Sequence, residues 1–147
     1  MLEPFTQEAK NAMAAAREEA QRLHHDELGT AHLLLGLVAR GDGEVTRMLD
    51  GFGIDVPVLR TEVAAVVGKD SKNTPREMVF TVEVKRALEF AFEETRELAH
   101  EAVGPEHLLL GILREGTGAA AKILSTSGVD AQRIRLAISK PSGPNLN

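Results

Sequence analysis

His32-Leu33-Leu34-Leu35-Gly36 returns 75 residues later as His107-Leu108-Leu109-Leu110-Gly111. Outward from this pair, the stretch Phe5 to Val63 lies over Phe80 to Ile138 without an insertion, and 22 of the 59 aligned positions are identical. Phe5-Thr6 matches Phe80-Thr81, and Gly41-x-Gly43 matches Gly116-x-Gly118. His25, Gly29, Leu49, Gly53, Asp55 and Arg60 also have identical counterparts. Self-similarity at a fixed offset marks one folding unit used twice. Each unit has only about 60 residues, a size at which a lone core is marginal. The two are therefore expected to pack on each other as one compact domain.

Composition narrows the possibilities. The 147 residues include no cysteine, so disulfides, thiolate ligands and thiol nucleophiles are excluded. No apolar run approaches the roughly 20 residues of a membrane span, and no basic-then-apolar leader pattern opens the chain. A cytoplasmic, membrane-free protein is expected, and a monomer. The net charge of −5 is shared unevenly. Residues 1–67 carry 6 basic and 11 acidic side chains, against 7 and 9 over residues 80–138. Neither half has the basic stripe that recruits nucleic acid. The copies keep one apolar pattern while their charged faces diverge.

Each repeat reads as four helices, with nothing resembling an alternating strand. The first spans about Thr6 to Leu23 and again Thr81 to Leu98, its apolar positions three and four apart on one face. Thr6 and Thr81 are suited to cap these helices. The second starts after Gly29 and Gly104, with Pro105 at a position that needs no amide, and is expected to end at Gly41 and Gly116. A short third helix covers Glu44 to Phe52 and Ala119 to Ser127, closed by Gly53 and Gly128. Asp55 and Asp130 are placed to cap the fourth. The expected fold is all-α: eight helices in two tandem four-helix repeats with pseudo-twofold symmetry. Residues 1–67 form the first repeat, 68–79 a polar linker, 80–138 the second repeat, and 139–147 a flexible tail rich in proline and glycine.

The chain offers no constellation for catalysis. Four of its five histidines recur in register, but two imidazoles per unit without a third ligand do not make a metal site. A hydrogen-bonding role across a helix junction is the expectation for them. Glu18-Glu19 and Glu93-Glu94 are adjacent on helices and point in different directions, so they form no acid–base dyad. Phosphate-loop, nucleophile-elbow and zinc-protease motifs are missing. No enzyme activity and no cofactor are expected. Binding is better supported: helix starts at Thr6 and Thr81 can receive an anion, and Glu106 in a first turn can hold a cation. Ordinary capping accounts for the same residues. Phe80 is either a tucked-in core aromatic or a binding handle.

The twice-repeated pattern Phe-Thr, helix, His-x-x-x-Gly-[Thr/Pro]-x-His-Leu-Leu-Leu-Gly, Gly-x-Gly resembles the Clp N-terminal repeat domain, and more narrowly the N-domain of the actinobacterial ClpC unfoldase. The resemblance covers residues 1 to about 138. It implies a non-catalytic module that docks substrates or adaptor proteins for Clp unfoldase and protease components. The motor modules of the family have no counterpart in these 147 residues, so the chain reads either as an excised N-domain or, the favoured expectation, as a stand-alone Clp-N protein. Such a protein could be an adaptor, or a decoy that sequesters cyclic-peptide antibiotics and confers resistance.

Two sets of site residues follow from the resemblance. Some ClpC N-domains recognise phosphoarginine through the Thr of Phe-Thr and the Glu of Gly-Thr-Glu-His. The second copy keeps Thr81 and Glu106, whereas the first keeps Thr6 but has Ala31 at the glutamate position. One competent site, at Thr81 and Glu106, and one weakened site, at Thr6, are expected. The cyclic-peptide face of mycobacterial ClpC N-domains maps onto Leu2 (a departure from Phe), Lys10, Phe80, Lys85 and Glu89.

Overall fold

A computed structural model describes residues 5–41, 43–67 and 79–139. Leu2, the connection over 68–78 and the tail over 140–147 lie outside the described residues. Among those described, eight helices form in the order α1 (Gln7–Arg22), α2 (Thr30–Leu37), α3 (Glu44–Gly51), α4 (Val56–Val67), α5 (Val82–Glu97), α6 (Pro105–Glu115), α7 (Ala119–Thr126) and α8 (Ala131–Ser139). Two-residue strands, β1 (Glu27–Leu28) and β2 (Val79–Phe80), precede α2 and α5. The fold is all-α with the expected duplication.

Local chemistry sets the helix ends. Thr6 Oγ1 accepts the Ala9 amide at 3.0 Å, and Thr81 Oγ1 accepts that of Val84 at 3.2 Å, which satisfies a first-turn donor in α1 and α5. Asp130 caps α8 by accepting the Arg133 amide at 2.8 Å. Gly53 and Gly128, at φ of +84° and +87°, turn the chain after α3 and α7.

The expected end of the second helix holds in one copy only. Gly116 follows α6 at φ +79°, but α2 stops at Leu37, before Gly41. In the first copy side chains hold the segment that follows α2 instead. Thr46 Oγ1 donates to Arg40 O at 2.8 Å, and Arg60 Nη1 donates to Val38 O at 3.4 Å.

Each repeat is built on one close helix pair, α1 on α2 and α5 on α6. A Cβ at Gly36 would overlap the Ala12 carbonyl oxygen, and one at Gly111 would overlap that of Ala87. The glycine of the Leu-Leu-Leu-Gly block thus lets two helix backbones touch. Leu33, Leu34, Leu108, Leu109, Leu110 and Ile112 are all at 1% exposure or less, so α2 and α6 run through the middle of a core drawn from both repeats. Phe5 and Phe92 join the copies, their rings 5.7 Å apart. No helix among the described residues is long and apolar enough to cross a membrane.

The short strands were not expected from the sequence. β1 pairs in parallel with β2, Leu28 opposite Phe80, and Phe5 makes the equivalent parallel bridge to Val103. Two residues are too few for an alternation to register, and the pairing partner lies in the other repeat.

Candidate binding site at the repeat junctions

The strand pairs make the repeats exchange their ends. The Thr6 amide donates to Val103 O at 3.0 Å, and the Thr81 amide donates to Leu28 O at 3.1 Å. Each Phe-Thr therefore docks on the segment that leads into the second helix of the other copy. Thr6 comes to Pro105 and Glu106, which line one cavity with it, while Thr81 lies against Gly29. The expected grouping of Thr81 with Glu106 is thereby corrected: the structure brings Thr6 and Glu106 together and puts Thr81 beside Leu28 and Gly29. The reason is the swapped strand pairing, which a comparison within each repeat does not reveal.

The Thr6–Glu106 cavity measures about 350 Å³ and gathers mixed charge. Glu8 from α1, Glu44 from the start of α3 and Glu106 from the start of α6 supply carboxylates; Arg40 and Arg47 supply guanidinium groups. Burial, then the charges of Glu106 and Glu8, push the Glu44 carboxyl above its usual range, with Arg47 acting the other way. Closely spaced carboxylates in a partly dry site favour a cationic guest, and the arginines with the Thr6 hydroxyl suit an anion. The equivalent junction is built differently. There, Ala31 stands in place of Glu106 and Ala119 in place of Glu44. Thr30 fills space against Gly118, its Oγ1 accepting the Ala120 amide at 3.4 Å. Glu44 was missed in the sequence reading; the offset alignment, which sets it against Ala119, carried the signal.

The histidines take the structural role expected of them. The Gly29 amide donates to His32 Nδ1 at 2.9 Å, so the proton of the neutral His32 ring sits on Nε2, which donates to His25 Nδ1 at 2.8 Å. Gly104, His107 and His100 repeat the chain at 2.8 and 2.8 Å. Burial and the neighbouring imidazole lower the pKa of His32 and His107 to about 4. Among the described residues one group has donor atoms close enough for a cation, His100, Glu106 and His107, within 4.8 Å of one another. Both nitrogens of His107 are already engaged, by the Gly104 amide and by His100. A cation there would have to displace the buried hydrogen bond by which His107 caps the start of α6.

Of the residues mapped onto the cyclic-peptide face, Lys10 and Phe80 share a cavity of about 280 Å³ with Phe5, Met13 and Arg17. Phe80 is half-buried and packs against the core while lining this cavity. Lys85 and Glu89 are exposed one turn apart on α5 and do not line it. Leu2 falls outside the described residues.

Comparison with known proteins agrees with this architecture. The model of the Clp repeat (R) N-terminal domain matches residues 4–127 and 79–144. The chain is similar to the chloroplastic ClpA homolog of Brassica napus, a Clp protease ATP-binding subunit, with 42% identity over 99% of the chain and 17% of that protein. It is 42% identical to the chloroplastic chaperone protein ClpC1 of Arabidopsis thaliana, again over 99% of the chain but 16% of the relative. It spans about a sixth of these relatives. Among solved structures, the N-terminal domain of ClpD from Arabidopsis thaliana superposes with a TM-score of 0.68 at 28% identity, covering 90% of each chain. The N-domain of ClpV from Vibrio cholerae shares the fold with a TM-score of 0.79 at 17% identity, covering 92% of this chain and 82% of that one. The chain belongs to the Clp repeat N-terminal domain family, whose members are non-catalytic accessory domains of unfoldases.

Proposed function

We propose that this domain docks substrate or adaptor proteins for a Clp unfoldase and protease, and that it holds them at the Thr6–Glu106 junction by a phosphorylated arginine side chain. The observation that carries the reading is the single cavity lined by Glu8, Glu44 and Glu106 together with Arg40, Arg47 and Thr6. A phosphoarginine presents a guanidinium and a phosphoryl group a few bonds apart, and this site offers carboxylates for one and guanidinium groups with a hydroxyl for the other. The second junction, with Ala31 and Ala119, lacks two of the three carboxylates. A cytoplasmic location, a monomeric state and kinship with the actinobacterial ClpC branch belong to the same reading.

Calorimetric titration with free phosphoarginine tests it. One site is expected, weakened at least tenfold by Glu106→Gln, as loss of a charge-assisted hydrogen bond implies, and unaffected by Thr81→Ala. Two equal sites, no binding, or sensitivity to Thr81→Ala with indifference to Glu106→Gln each overturn it.

A second reading has its own observation. Lys10 and Phe80, far apart in sequence, meet at one mostly apolar cavity with Phe5. There the domain would capture cyclic peptides and, acting apart from a motor, serve as a decoy for antibiotics of that class. Phe80 would supply rigid contact area. Phe80→Ala should sharply weaken cyclic-peptide binding with the helical circular-dichroism signal intact, and unchanged affinity eliminates this surface.

A further inference from the structure

The internal repeat serves as a control on its own surface. Along the α1–α2 pair a small cavity of about 70 Å³ is floored by Ala12, Ala15, Gly36 and Leu37, with Ala39 beside it. In the second copy the positions of Ala15 and Ala39 are held by Phe90 and Arg114. There the Arg114 guanidinium carbon stands 4.4 Å from the centre of the Phe90 ring, so a stacked pair covers the same place. The first copy has the same backbone approach, through Gly36, and leaves that surface open.

The open cavity continues the Thr6–Glu106 site. Glu8, Arg40, Gly43, Glu44 and Pro105 line both. Away from that shared rim the lining is the methyl and methylene surface of the alanines and Leu37, with one polar side chain, Asn11. The volume discriminates by size. A water occupies about 30 Å³ and a benzene fits a cavity of about 150 Å³. The space of about 70 Å³ is under half of that cavity, so it suits an aliphatic group of a few carbons better than an aromatic ring.

We propose that this cavity is a selectivity pocket for the residue next to the phosphorylated arginine, and that it takes a small aliphatic side chain such as valine. The proposal rests on the reading of the Thr6–Glu106 junction given above and names the peptide class that junction prefers. The cationic head is drawn to Glu8, Glu44 and Glu106 by charge, and the shared rim leaves the neighbouring side chain against the alanines. The second copy, already filled by Phe90 and Arg114, lacks this selectivity.

Three acetylated, amidated tripeptides test this, with phosphoarginine at the centre and glycine, valine or phenylalanine on both sides. On the unaltered domain, titration should show the valine peptide binding about fivefold tighter than the glycine peptide, the scale of partly burying one aliphatic side chain. The phenylalanine peptide should gain nothing. Ala39→Arg, at an exposed position, and Ala15→Phe with Ala39→Arg, which rebuilds the second copy's stacked pair, should bring the valine and glycine peptides to equal affinity. The glycine peptide should still bind. Equal affinities on the unaltered domain, or a valine preference that survives both variants, overturn the pocket and leave the head-group site standing. Failure of all three peptides to bind overturns both.

Discussion

Arg135 lays its guanidinium fork across the Glu94 carboxylate, with Nε 2.9 Å from Oε1 and Nη2 2.8 Å from Oε2. Arg114 adds a third bond, Nη1 to Oε2 at 3.0 Å, and Glu94 is 1% exposed. The first copy retains the relationship in weaker form, Arg60 Nη2 standing 3.8 Å from Glu19 Oε2. The Arg135 bonds lead in holding the Glu94 carboxyl below its usual range, against the effect of burial and with help from Arg114. Stabilisation from such a depressed acid is present above pH 4.5 and is lost as pH falls through its folded value. Replacing Glu94 by Gln should cost roughly 1.5–2 kcal/mol, because charge-assisted bonds to two arginines are lost, while both arginines keep some solvent and Arg114 keeps Glu93. Glu19→Gln should cost less than about 1 kcal/mol, as expected of a looser pair. Urea unfolding of the two variants decides, and equal losses would show that the buried fork contributes nothing special.

The paired imidazoles make the domain sensitive to mild acid. His32 and His107 are held neutral in the fold, with pKa values lowered from 6.5 to about 4. For a base with a depressed folded pKa the unfolded chain binds the proton first. Stability is therefore complete above pH 6.5 and falls as pH drops from 6.5 towards 4. With two such groups the slope should approach about 2.7 kcal/mol per pH unit in the middle of that window. Unfolding free energies measured at pH 7, 6 and 5 provide the check; a profile flat to pH 5 contradicts the neutral assignment.

Gly111 is required by contact and not by turning. Its Cβ would run into the Ala87 carbonyl oxygen and crowd the Ala91 amide, so Gly111→Ala must push α5 from α6. A loss of about 1–3 kcal/mol is expected, the usual cost of overpacking, although alanine has the better helix propensity. Gly51→Ala is the comparison, since nothing lies within 4 Å of a Cβ there. A thermal melt in which Gly111→Ala matches or exceeds Gly51→Ala would refute the close approach.

The junctions predict a gain of function. At the offset of 75 residues Ala31 is the counterpart of Glu106, two residues from the Gly29 against which Thr81 lies, and it is buried where Glu106 is partly exposed. Ala31→Glu should add a second, weaker phosphoarginine site, since Ala119 still stands where the first junction has Glu44. Titration should move from one site to two. If the Ala31→Glu variant keeps one site while Glu106→Gln abolishes it, the carboxylate alone does not make a junction competent.

Much of this molecule is legible in the linear order of its residues. The constant offset between His32-Leu33-Leu34-Leu35-Gly36 and His107-Leu108-Leu109-Leu110-Gly111 announces a duplicated helical unit, and Thr6, Thr81, Asp130, Gly53 and Gly128 mark ends that the structure keeps. These signals are local: a cap or a left-handed turn depends on residues within one turn of itself. The end of α2 escaped for the same reason, because the carbonyls just past it, of Val38 and Arg40, are held by Arg60 and Thr46 from later in the chain.

The pairing of site residues is a different kind of fact. Thr6 and Glu106 are 100 residues apart, and the parallel bridge between Phe5 and Val103, with α1 packed against α6, brings them to one cavity. Sequence by itself determined that there are two copies, that they are helical, and that Ala31 and Glu106 differ. Tertiary structure decided which threonine each of them faces. Neither small unit can bury its apolar helix faces alone, so the two exchange ends across a shared core, and every junction becomes half one repeat and half the other.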